Sequence, residues 1–362
     1  LHLSIRRQRQ MCIRDRHRYA YPDFFKAHQD KKLELTTSHP HHGAGGVTNT
    51  IQLRGEYLYT TAGTAGFRVY DVANIANKGF SERIVTSPVS PLGQDTHVSS
   101  KNATSFALPT TMPIAPFRDQ LPENLETKMH PIYHYAVIVD SVEGLILVNV
   151  DTLADFEPRN NFLKRALTWN EDGILNGATH IELGGTNAFV STPESIVILD
   201  LDNPLSPKVR AEIPFNNPTA SRIQFRYLFV TDKDGFHSVD ITDIDKPIKV
   251  KGSLVSLSDA RNIYLARTYA YVSGGKEGLV IIDIEKADKP KLYMKYNDDG
   301  TINDLSDVKV ATTNASLFAY LADGINGFKI LQLTDPERVP TYYGFSPEVK
   351  PKLIALKHTC LL

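Results

Sequence analysis

The chain has 362 residues, 41% of them hydrophobic and 22% charged, with 40 basic and 41 acidic side chains. This is enough apolar material for a large core, but no run of about 18 apolar residues exists to span a bilayer. The near-zero net charge gives no global attraction to nucleic acid or acidic lipid, and the composition excludes collagen, coiled coil and general disorder.

In chain order, the first segment is LHLSIRRQRQMCIRDR (1–16), five arginines without apolar periodicity, and the last is HTCLL (358–362). Both resemble translated sequencing-adapter read-through that flanks metagenomic reading frames, so both are expected to be non-native and the chain a fragment. Cys12 and Cys360 fall within them, which leaves the core without thiols for disulfides, zinc–thiolate sites or covalent haem. Residues 17–46 read as an N-terminal extension and entry loop. It contains HPHHGAGG (39–46), where His39, His41 and His42 could hold a transition metal, although their spacing matches no strong zinc signature.

From residue 47 one two-strand unit recurs six times. Aromatic-rich first members read YLYTTA (57–62), YAVIVD (135–140), NAFVST (187–192), YLFVTD (227–232), YAYVSG (269–274) and FAYLAD (318–323). Their apolar partners begin at Gly66, Gly144, Ser195, Gly235, Gly278 and Gly327. A glycine there can take positive φ and fold the second strand back on the first. Polar turns follow, often closed by proline, as in DLDNPLSP (200–207) and DIEKADKP (283–290). The turn positions recur every 40 to 51 residues after a first interval of 78, the length of a four-stranded propeller blade.

Further strands are expected upstream of each pair, at TIQLR (50–54), HIELG (180–184), RIQFR (222–226) and NIYLA (262–266), and downstream at KVRAEI (208–213) and KLYMKY (291–296). Thr96-His97-Val98 matches Thr179-His180-Ile181, which places the inner strand of the second blade at 96–98. Residues 107–132, rich in proline, then form a surface insertion. FLKRALTWNEDGI (162–174), with the single tryptophan Trp169, reads as an extended linker, either a short helix or an overhanging loop. VKPKLIALKH (349–358) reads as the start of a further inner strand. Either a seventh blade has been lost or KLELTT (32–37) supplies the outer strand that closes the ring.

The second strands, above all GLVIIDI (278–284) and SIVILDL (195–201) followed by an Asp/Pro turn, resemble the LVIVD-repeat β-propeller family over roughly residues 45–345. The chain departs from that pattern at Asn149 and Gln332, where the terminal Asp is replaced, and it lacks the Gly-His and Trp-Asp signatures of WD40 repeats. The resemblance implies an all-β propeller with six visible four-stranded blades in a native ring of six or seven. The domain is taken as 47–345, with 346–357 beginning a further strand or blade. The family likeness implies a periplasmic, cell-surface or secreted protein, as part of a larger and monomeric molecule.

Inner-strand entry residues of a propeller surround the channel mouth. Alignment selects Thr50, His97, His180, Arg222, Asn262 and Asp307, preceded by Asn49, Thr96, Thr179, Ser221, Arg261 and Ser306. His97, His180 and Asp307 could ligate a divalent metal, and Arg222 with Arg261 could hold an anion. His130, His134 and His237 read as structural. No GxSxG, P-loop or GxGxxG motif occurs, and no catalytic residue is assigned.

The sequence therefore favours a non-enzymatic scaffold that binds a protein or polysaccharide through its loop face. The alternatives are a metal-assisted hydrolase or lactonase at the channel mouth and the propeller module of a haem-containing electron-transfer protein. Nucleic acid and a transmembrane segment are not expected.

Overall fold

The computed structural model describes residues 47–72, 95–113, 121–122, 129–154, 161–312, 316–335, 337–339 and 345–357. Six antiparallel sheets, four-stranded apart from one added short strand, follow one another around a ring, each wound from the axis outward. Blade one comprises β1 (Thr50–Arg54), β2 (Tyr57–Thr61), β3 (Phe67–Asp71) and β4 (His97–Val98). Blade two comprises β5 (Ala103–Ala107), β6 (Tyr135–Asp140), β7 (Gly144–Asn149) and β8 (Lys164–Trp169). Blade three has β9 (His180–Gly184), β10 (Asn187–Ser191), β11 (Ser195–Asp200) and β12 (Lys208–Pro214). Blade four has β13 (Ala220–Gln224), β14 (Tyr227–Thr231), β15 (Gly235–Asp240) and a split outer edge, β16 (Ile248–Lys249) and β17 (Val255–Ser256). Blade five is β18 (Asn262–Ala266), β19 (Tyr269–Ser273), β20 (Leu279–Asp283) and β21 (Lys291–Tyr296). Blade six is β22 (Asp307–Thr312), β23 (Leu317–Ala322), β24 (Phe328–Thr334) and β25 (Lys352–Lys357).

Glycine at the second turn has a double cause. Gly278 sits at φ +73°, and a Cβ there would lie 2.4 Å from the carbonyl oxygen of Tyr296 on the outer strand. The position thus needs both left-handed backbone and room for the fourth strand. At the other end of the third strand, the Asp of the repeat is a turn former. Asp200, Asp240 and Asp283 each accept the backbone N–H two residues on. Asn149 does the same for Asp151, at 3.0 Å, so this departure from the repeat keeps its chemistry. Gln332 instead bonds Ser316, and Asp335 takes over the turn through Glu337 and Arg338.

Between blades, alternation puts one apolar row on each face. The third strand and the second strand of one blade, as in Phe229 and Phe236, press on the inner strand and neighbours of the next, as in Ile263, Ala270 and Val272. Equivalent cores join blades one and two, two and three, three and four, and five and six. Burial of such surface contributes about 25 cal/mol per Å² and supplies most of the driving force for stacking.

Four expectations change. Residues 97–98 are the outer strand of blade one, paired with Phe67 and Arg68, and the inner strand of blade two begins at Ala103. The Thr-His-Val match reflects the two-residue alternation common to any half-buried strand. Residues 352–357 are the outer strand of blade six, not an inner strand, so that blade runs through Lys357. Trp169 ends β8 and packs in the core between blades two and three, with only Glu171–Gly173 forming a short helical turn after it. The inner strand of blade four starts at Ala220, two residues earlier than read. The segment 32–37 and the histidines His39, His41 and His42 lie outside the described residues.

The insertion leaves β5 at Ala107, the end opposite the entry loops, so it belongs to the other face of the ring. Its first residues are held by Arg54, whose Nη1 donates to the carbonyls of Pro109 (2.7 Å) and Thr111 (3.1 Å).

Candidate functional site

In five of the six blades the inner strand enters next to the end of the second strand, and the residue before it donates its backbone N–H there: Asn49 to Thr61, Thr179 to Ser191, Thr219 to Thr231, Arg261 to Ser273 and Ser306 to Ala322; in blade two Asn102 donates to the Asp140 carboxylate instead. This shared bond gives the true alignment of the entry positions. Thr219, not Ser221, is the member from blade four.

The side chains of these entry residues brace the ring. Asn49 Nδ2 donates to the carbonyl of Ala103 (3.0 Å), Thr179 Oγ1 to that of Pro218 (3.4 Å) and Thr219 Oγ1 to that of Ala260 (2.6 Å), in each case reaching the following blade. Arg261 performs this task between blades five and six. Its guanidinium grips Asp259 and donates to Asp304 Oδ1 at 2.7 Å, and these two carboxylates raise its already high pKa. The expected anion fork of Arg222 with Arg261 is therefore absent, because Arg261 is already held by two aspartates.

The axis itself is lined by alternate residues of the inner strands. Arg222 Nη1 donates to His180 Nε2 at 2.8 Å, to Glu182 Oε2 at 3.1 Å and to its neighbour's carbonyl, that of Ser221, at 2.9 Å. Opposite, Asn262 Nδ2 donates to Asp307 Oδ1 at 2.7 Å, and Lys309 Nζ lies 3.7 Å from Asp307 Oδ2. The ammonium of Lys309 also stands 5.9 Å from the centre of the Tyr264 ring. Its charge acts on both His180 and Glu182, although these belong to blade three. Blades three and six thus contribute charges to one axial cluster. Thr50 belongs to the same layer but turns its hydroxyl to the carbonyl of Thr104, 3.3 Å away.

Burial disfavours charge here. It holds His180 well below the usual imidazole range, with the positive charges of Arg222 and Lys309 pushing the same way. Burial likewise raises Glu182 despite Arg222, and lowers Lys309 despite Asp307.

Of the predicted site residues, His180, Arg222, Asn262 and Asp307 line the axis together. His97 does not: it sits on the outer strand of blade one, its Nε2 3.0 Å from the carbonyl of Ala65. The triad His97, His180 and Asp307 therefore cannot form a metal centre. His180 also has its Nε2 lone pair occupied by Arg222. Glu182, Tyr264 and Lys309 were missed, although a strand places them two residues beyond His180, Asn262 and Asp307 on the same side.

Among the described residues one other group brings ligand-type atoms within 4.8 Å of one another: Asp232, Asp234 and His237. Asp232 Oδ1 accepts the amides of Asp234 and Gly235 and lies 2.9 Å from His237 Nε2. The same turn in blade six buries an ion pair of Asp323 with Lys329, and in blade two Asp140 accepts the amides of Val142 and Glu143. Comparable bonding in three blades marks a turn brace. Lys249, lying 3.7 Å from the centre of the Phe215 ring, adds positive charge beside both aspartates. His134 pairs with Asp151 at 2.7 Å, and His130 caps the turn at Ile132, both structural roles.

The LVIVD repeat model matches residues 45–86 and 258–298, which include the first three strands of blade one and all four of blade five. No curated protein matches the chain in sequence. Among solved structures, a candidate 6-phosphogluconolactonase from Bacteroides fragilis aligns at TM-score 0.53 and 10% identity, covering 86% of this chain and 81% of its own. A second, from Bacteroides uniformis, gives 0.51 and 10%, with 84% and 78% covered. The Cps50 (Swd1) β-propeller domain of Myceliophteria thermophila gives 0.51 and 11%, covering 87% of each chain. At such identities the likeness is one of fold. The chain is a six-bladed β-propeller that carries LVIVD repeats.

Proposed function

We propose that this propeller is a non-enzymatic binding scaffold that works in the cell envelope or outside the cell and engages a protein or polysaccharide through the face bearing the insertion. The observation that carries this reading is the internal pairing of the axial charges. Arg222 is spent on His180 and Glu182, and Asp307 on Asn262 and Lys309. A cation entering there would meet two positive groups and two carboxylates already neutralised, a poor basis for metal-assisted hydrolysis.

The insertion face supports contact with a partner. Phe225, in a turn at φ +55°, is 91% exposed, and Phe345 on the same face is 81% exposed. Exposed aromatic rings supply contact area with little side-chain entropy to lose, and they serve both protein and sugar ligands. The envelope location follows the family resemblance.

Elemental analysis, a lactonase assay and a glycan and envelope-protein binding array on the purified chain test this together. The expected result is no stoichiometric metal, no turnover of 6-phosphogluconolactone, and binding that weakens in Phe225→Ala and Phe345→Ala. Bound metal with turnover lost in His180→Ala would replace the scaffold reading with the enzyme one.

A further inference from the structure

Every closed seam is made head to tail. One blade gives the face bearing the first apolar residue of its third strand, and the next receives it on the face bearing the second residue of its inner strand. In seam five to six these are Leu279 and Val308, both 0% exposed. In seam four to five they are Phe236 and Ile263, again 0% exposed.

At the seam from blade six to blade one the same two positions are Phe328 and Ile51. They are 45% and 53% exposed. Their neighbours agree. Leu58 and Tyr320 are only partly buried where the equivalent Ala270 and Tyr271 are fully buried, and Leu53, on the same face as Ile51, is exposed outright. Tyr320 stacks on Phe328 within its own blade, with ring centres 6.2 Å apart. Inner strands of neighbouring blades pack side by side elsewhere, whereas β22 and β1 do not pack as those pairs do. The brace is missing too, since Ser306 turns its hydroxyl to Ala322 of its own blade.

We infer that the space between blades six and one is the docking place of one further four-stranded blade of the same repeat, carried on the same polypeptide and entered from the end of β25. Two unlike apolar faces, one of the giving and one of the receiving kind, are what a wedge of this type needs on its two sides. A second copy of the chain fits poorly, because its remaining blades would have to share the same ring. Connectivity favours supply in cis. In the other blades the outer strand leads straight into the next inner strand over the entry face, as residues 297–306 lead from β21 to β22.

Single thiols test it. Ile51→Cys and Phe328→Cys are made in a background of Cys12→Ser and Cys360→Ser, and maleimide labelling is timed against the same chains in denaturant. In the present chain both thiols should label near the denatured rate. When a second copy of residues 297–357 is joined after Lys357, both should slow by about ten-fold or more as the added blade fills the seam. Protection of Ile51→Cys in the present chain would overturn the inference by showing the seam already covered. If deletion of residues 17–46 then restored labelling, the N-terminal segment would be the occupant. Fast labelling of both thiols in the lengthened chain would also overturn it.

Discussion

Arg222 Nη1 donates to His180 Nε2 at 2.8 Å, and this one bond fixes the imidazole. Because guanidinium can only donate, Nε2 must accept, so His180 is neutral with its proton on Nδ1. That nitrogen is buried and meets no acceptor among the described residues.

Stability should fall with acid through His180. Its folded pKa lies well below 6.5, so below about pH 6.5 the unfolded chain binds a proton that the folded one refuses, and stability drops by up to about 1.4 kcal/mol per pH unit until the folded pKa is reached. Glu182, raised in the folded state, acts oppositely at lower pH. Urea denaturation from pH 7.5 to 5 should show a smaller loss in His180→Asn than in the parent.

Arg222→Ala leaves a buried histidine lone pair and Glu182 without their donor. A loss of about 2–4 kcal/mol is expected by chemical denaturation, and Arg222→Lys should recover only part of it because the more strongly hydrated ammonium on its flexible stem loses more on being held between the two partners.

At the turns, Gly278→Ala should cost more than Gly300→Ala. Both positions have positive φ, worth about 1 kcal/mol to a glycine, but only the first would drive a Cβ into a backbone carbonyl, while the second opens on free space. Comparison of denaturation midpoints measures the difference.

The inter-blade brace predicts that Thr219→Val, which keeps the shape and removes the 2.6 Å bond to Ala260, lowers stability by about 1 kcal/mol. Hydrogen exchange at the entries of blades four and five should rise first.

The blades themselves were readable because alternation and turn glycines are local signals. The YLFVTD and GFHSVDI segments became β14 and β15 with the expected turn between them. Position around the axis was less readable. His97 shares its pattern with His180, yet one strand is outermost and the other innermost, a distinction set by which strand hydrogen-bonds to which. Arg222 was chosen by an alignment two residues out of step and reaches the axis because two residues is the strand period. Lys309 needed only that same step from Asp307.

Crosslinking across the axis reads how blades three and six face one another. With Cys12 and Cys360 replaced by serine, Glu182→Cys and Lys309→Cys should be joined within one molecule by a short bismaleimide, giving a shifted band on a denaturing gel. Neither single variant should give that band. Failure of the pair to join, with each thiol labelling freely, would contradict a ring that brings blades three and six face to face.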